Sequence, residues 1–169
     1  MSQLTVRKTQ IHSWHELVVE AESVSHILLP EDTEYYLVSL LSRYTDQPEF
    51  INNVMADLFL RLDGMKKAEK HVCLRDIGDQ CLLFAGLFPE YASKRLVSDD
   101  YFPGLGKAAY DRLSLEVSLY LELVQYFESM LRILRTFRQL SGCEENELVN
   151  NEACWVNIEL RRGSHCVIH

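Results

Sequence analysis

The stretch KAAYDRLSLEVSLYLELVQYFESMLRILRTFRQL, Lys107 to Leu140, contains neither glycine nor proline. Within it Leu113, Val117, Tyr120, Val124, Phe127, Leu131 and Leu134 recur at alternating spacings of four and three, the phase of a helix seam. Leu119, Leu123, Tyr126, Met130, Ile133, Phe137 and Leu140 repeat the pattern on an adjacent face. A strand would alternate at every second residue, so the spacing predicts one long helix over about 107–140. At about 1.5 Å per residue it would extend roughly 50 Å. Two apolar seams on one helix need two packing partners, which makes this segment the central strut of a bundle or leaves one seam for a second subunit.

Working outward, the rest of the chain reads as helix too. In HSWHELVVEAESVSHI, Ser13 and Glu16 have the spacing of a capping box, which predicts a helix starting near Trp14. Pro30 suits a first helical position, and Glu31, Asp32 and Glu34 complement the positive end of the following helix, whose stripe is Leu37, Leu40, Leu41 and Tyr44. Pro48 opens another, with Phe50, Ile51, Val54, Met55, Leu58, Phe59 and Leu62 in phase before Gly64 ends it. The segment 66–88 is apolar on all sides in its second half, the pattern of a buried helix. After Gly142, acidic residues at the start and Arg161 and Arg162 at the end suit a last helix closed by Gly163. The expectation is an all-α fold: a bundle of about six helices around the 107–140 helix. It places one domain over 1–163 and a tail at 164–169.

With 169 residues, 47% of them hydrophobic, the chain can bury a substantial core. A net charge of −8 argues against nucleic acids and acidic membranes as partners, because such binding draws its affinity from neutralising phosphates. MSQLTVRKTQIH lacks the apolar run of a signal peptide, and CLLFAGLF is too short to span a bilayer, so a cytoplasmic protein is expected. The five cysteines are odd in number and irregular in spacing, which suits reduced thiols; Cys73 and Cys81 fall at helical positions as small buried hydrophobes.

No metal or cofactor is expected. His12 and His15 lack the His-Glu-x-x-His order, and Cys154, His165, Cys166 and His169 lie near or in the tail. YFPGLGKAAY, Tyr101 to Tyr110, resembles a phosphate loop only superficially. Ala108 stands where a P-loop needs Ser or Thr, Tyr101 where it needs Gly, and the Gly104-x-Gly106-x-x-Ala109 spacing has no strand before it. What survives is a helix start whose N–H groups, with Lys107, can receive an anion, either a ligand or this chain's own Asp79.

The second polar cluster is LRDIGDQCLLFAG. Arg75 and Asp79 are four apart and can pair, while Asp76 and Gln80 form a neighbouring ridge at the edge of an apolar helix. Either these groups brace the bundle, or they line a ligand pocket between the 66–88 helix and the 101–110 turn. The candidate ligand-binding residues are Arg75, Asp76, Asp79, Tyr101, Gly104, Gly106, Lys107 and Tyr110. No catalytic spacing singles out Asp76, Asp79 and Tyr110 as proton-transfer groups, so no catalytic residue is assigned.

The pair LRDIGDQCLLFAGLF and DDYFPGLGKAAYDRLS resembles the motif pair of an uncharacterised family of bacterial all-helical proteins, carried here by Arg75, Gly78, Asp79, Gly86, Asp100, Tyr101, Gly106, Ala109 and Tyr110. The resemblance implies a bacterial helical domain and assigns no reaction. The functional expectation is a non-enzymatic helical interaction module, a homo-oligomer or binder of a protein partner, self-associating through the long helix. The alternative is a bundle that binds a small anionic ligand at the polar cluster.

Overall fold

The computed structural model describes residues 2–46, 59–89 and 97–141. Helix α1 spans Ser2–Ser25 and α2 Glu31–Asp46; a 3-10 turn at Leu62–Gly64 precedes α3, Lys67–Leu87; α4 spans Tyr101–Ser114, α5 Ser118–Gln125 and α6 Phe127–Leu140. No strand occurs among the described residues, and the all-α class expected from the periodicity holds. The start of the helix expected at Pro48, the helix after Gly142 and the tail with Cys154, His165, Cys166 and His169 lie outside the described residues. No described helix is long and apolar enough to cross a membrane.

The chain divides into two compact units, Met1–Gln47 with Arg132–His169, and Pro48–Leu131. In the first, Trp14, Leu17, Val18 and Ala21 of α1 are buried at spacings of three and four, as are Leu37, Val38, Leu40, Leu41 and Tyr44 of α2. The Trp14 and Phe137 rings lie 5.7 Å apart. Helix α1 does not begin near Trp14. It runs from Ser2, and Ser13 is a buried helical residue rather than a cap. The Ser-x-x-Glu spacing also fits a helix interior, where Trp14, two places before Glu16, is anchored in the core. The end of α1 is held by Glu22 twice. Its carbonyl accepts the Ile27 N–H at 3.1 Å across His26 at φ 55°, and its carboxylate accepts the Leu29 N–H at 2.9 Å. The first bond is the six-to-one closure that ends many helices, here with histidine in the left-handed position.

In the second unit α3 and α4 form the most extensive helix pairing. Their close approach follows from missing side chains. A Cβ on Gly78 would meet Tyr110 of α4, 2.6 Å from Cδ1 and closer still to Cε1; one on Gly106 would lie 2.8 Å from Phe127 Cζ and 2.9 Å from Cys81 Cβ. Each helix thus offers a glycine to a side chain of the other, Gly78 to Tyr110 and Gly106 to Cys81.

The helix expected over 107–140 is three helices. Glu116 and Val117 N–H groups both reach the Leu113 carbonyl, at 3.0 and 3.1 Å, and Val117 is extended at φ −136°, ψ 117°. Ser114 Oγ meanwhile bonds the Asp111 carbonyl at 2.6 Å, a local side-chain bond that competes with the helix ladder. Val117 is also β-branched and leaves the helical region easily. A second, smaller interruption falls at Tyr126, φ −97°, ψ 12°, after which α6 begins at once. The seam phase nevertheless survives the breaks: Leu113, Tyr120, Phe127, Leu131 and Leu134 are buried, and so are Leu123, Met130, Ile133 and Phe137 of the second seam.

Candidate functional site

Tyr110, fully buried, is the hub of the second unit. Its hydroxyl donates to Asp79 Oδ1 at 2.6 Å, and its ring lies 5.7 Å from Tyr120 and 6.0 Å from Phe127. Asp79 is likewise fully buried. A carboxylate held away from water needs donors, and the phenol, brought by Gly78 against α3, supplies one. Gln80 beside it is 2% exposed, and its side-chain oxygen has no hydrogen-bond partner.

The other residues singled out in the sequence are distributed around this pair. Arg75 does not meet Asp79. Its Nη2 pairs with Asp76 at 3.0 Å and its Nε with the same oxygen at 3.3 Å, both side chains on the partly exposed edge of α3. Residues 101–110, expected as a turn, form the first turns of α4. That helix start is closed by its own backbone, Tyr101 N–H to the Ser98 carbonyl at 3.0 Å and Gly104 N–H to the Asp100 carbonyl at 2.9 Å. Asp79 therefore meets α4 at Tyr110, two turns further on, rather than at its first N–H groups. Tyr101 packs edge-on to Phe102, and Gly104 is exposed with no heavy atom near its Cβ position. Lys107 pairs with Glu128 and lies 5.7 Å over the Phe127 ring. Of the eight candidates, the structure joins Asp79 to Tyr110 and Arg75 to Asp76 directly and sets Gly106 in the α3–α4 contact.

Neither described thiol is in a disulfide, and burial pushes both above the ordinary cysteine value, the fully enclosed Cys81 far more than Cys73. Neither has the thiolate character of a nucleophile. Among the described residues no group of three or more His, Cys, Asp or Glu is placed to hold a metal ion.

The first unit has its own polar cluster. Glu22 is 5% exposed, and burial raises its carboxyl above the ordinary range, reinforced by the nearby Glu34 charge and opposed by the Leu29 N–H and by His15. His15 Nε2 lies 2.7 Å from Glu34 Oε1. These groups fasten the α1–α2 corner.

One feature of the second unit escaped the reading of the sequence. An open cleft of about 530 Å³ lies where the first turns of α3 meet the end of α4, lined by Lys67, Lys70, His71 and Leu74 on one side and Arg112 and Leu113 on the other. The run KKAEKH, Lys66 to His71, carries the signal in part, since Lys67, Lys70 and His71 share one helix face. Nothing in the local pattern shows that Arg112 joins them. In comparisons with known proteins the chain matches no family model, no curated protein and no solved structure.

Proposed function

We propose that the chain is a non-enzymatic helical interaction module that self-associates through the corner where α4 turns into α5. The observation that carries this reading is the exposure of Leu115, Val117 and Leu121, at 88%, 40% and 50%, within one short stretch. Val117 precedes the first residue of α5, and Leu121 lies in its first turn. Scattered exposed apolar residues are ordinary, whereas a cluster on one corner marks a contact surface. Covering a leucine contributes about 1.5–3 kcal/mol. A two-fold contact would set each corner against its copy, so one small patch serves both subunits. The buried side chains of the second unit support a binding rather than a catalytic role, because Asp79 and Tyr110 bond each other out of reach of solvent. Cys73 and Cys81, outside any disulfide, suit the reducing cytoplasm, and the bacterial setting follows the motif resemblance. The alternative, an anion held between residues 66–88 and 101–110, has less behind it: Lys107 is engaged by Glu128, and the start of α4 is closed by its own backbone.

Sedimentation velocity on the full chain across the micromolar range tests the proposal. The expected result is a mass rising towards a dimer with concentration, returned to the monomer by Leu121→Glu with the helical circular dichroism unchanged. A monomer at every concentration, or a dimer indifferent to Leu121→Glu and Leu115→Glu, overturns it.

A further inference from the structure

We infer that the cleft between the start of α3 and the end of α4 is a binding site for a small organic carboxylate carrying an apolar body. Arg112 is the centre of the argument. Its guanidinium lies 4.4 Å over the Phe59 ring, and no carboxylate among the described residues pairs with it. Stacking on an aromatic face holds the plane of a guanidinium while leaving its N–H fork open, the arrangement that receives a carboxylate bidentately.

The surrounding charges favour an anion. Lys67, Lys70 and Arg112 line the cleft against two carboxylates, Asp63 and Glu116, a local positive excess on a chain whose net charge is −8. The internal pairs are loose: Lys67 to Glu116 at 3.3 Å, Lys70 to Asp63 at 3.8 Å and His71 to Glu116 at 3.9 Å. Lys67 and Asp63 are largely exposed, at 81% and 95%. Exposed pairs of this kind are weak, so an incoming anion displaces them at little cost. An excess of one positive charge fits a monoanion better than a dianionic phosphate.

Among the charges the lining also carries apolar side chains, Met65, Leu74, Leu113 and Leu115. Leu74 and Leu113 border it from the core, 3% and 2% exposed, and the exposed Leu115 offers the larger apolar surface. A volume of about 530 Å³ lies within the range of small-molecule sites, roughly 300–1,000 Å³. A net cationic lining with leucine and methionine side chains beside it suits a ligand with a charged head and an apolar body, such as a medium-chain fatty acid or an aryl carboxylate.

Titration of the isotope-labelled full chain with octanoate, followed by NMR, tests the assignment. Octanoate is expected to give saturable shifts at the Arg112 Nε–H and at the Leu74 and Leu113 methyls, with acetate and octylamine binding about tenfold more weakly or worse. Arg112→Gln should weaken octanoate about tenfold, Arg112→Lys should recover part of that loss, and Leu121→Glu, a self-association variant outside the cleft lining, should leave it unchanged. Equal binding of octylamine, inorganic phosphate binding more tightly than octanoate, indifference to Arg112→Gln, or no shift with octanoate each overturns it.

Discussion

The Tyr110 hydroxyl and the Asp79 carboxylate are buried together, so each depends on the other more than an exposed pair would. Removing a partner from a buried hydrogen bond costs about 1–3 kcal/mol, largely because the remaining group stays desolvated. Tyr110→Phe preserves the ring that fills the space over Gly78 and deletes only the donor. It is expected to lower the urea-unfolding free energy by about 1–3 kcal/mol without changing the slope. An unchanged midpoint would mean that Asp79 is fully served by other donors. Glu22 presents the opposite case. Its carboxyl is raised, chiefly by burial, so the folded state holds its proton more tightly than the unfolded chain does. Stability from this group is then fully present below the ordinary glutamate pKa and is lost as pH rises through the raised value. Glu22→Gln keeps an oxygen for the Leu29 N–H and removes the buried charge. At neutral pH it is expected to raise the thermal midpoint by about 2 °C, a gain that disappears on acidification towards pH 4. A midpoint lowered at neutral pH would show that the charge itself, through His15, holds the corner.

At the scale of the element, glycines separate two effects that oppose each other. Alanine is favoured over glycine inside a helix by about 1 kcal/mol, whereas forcing an extra methyl into a packed contact costs about 1–3 kcal/mol. At Gly104, exposed with open space around it, only the first acts. At Gly78 the added Cβ would fall on the Tyr110 ring, which its bond to Asp79 holds in place, and the second wins. Chemical denaturation is expected to show Gly104→Ala stabilised by about 0.5–1 kcal/mol and Gly78→Ala destabilised by about 1–2 kcal/mol. Equal effects at the two positions would contradict the packing described for α3 and α4. The sequence carried GLG as a possible ligand loop, but its two glycines differ. Gly104 faces solvent, and Gly106 makes room for Cys81 and Phe127. A local motif cannot tell these apart, because the difference lies in which helix arrives opposite.

For the whole molecule, charge sets the conditions for assembly. Two chains of net charge −8 repel at low ionic strength, and the Debye length contracts from about 30 Å at 0.01 M salt to about 10 Å at 0.1 M. Self-association through the apolar Leu115, Val117 and Leu121 corner is therefore expected to strengthen as salt is added; dissociation by salt would point to an ion-paired contact instead. The sequence by itself determined the all-α class and most of the core. Burial of Leu37, Leu40, Leu41 and Tyr44, or of Leu113, Tyr120, Phe127, Leu131 and Leu134, follows from phase, since a period near 3.6 places those residues on one face whatever lies opposite. Continuity was not legible, because the phase runs on across Val117 and Tyr126 while the backbone breaks there. Nor were the partners: Asp79 with Tyr110 rather than Arg75, Lys107 with Glu128, and Arg112 stacked on Phe59 beside Lys67 and Lys70. Those pairings depend on distances between helices far apart in the chain, and only the tertiary structure decides them, because close approach at Gly78 and Gly106 is a property of two surfaces together.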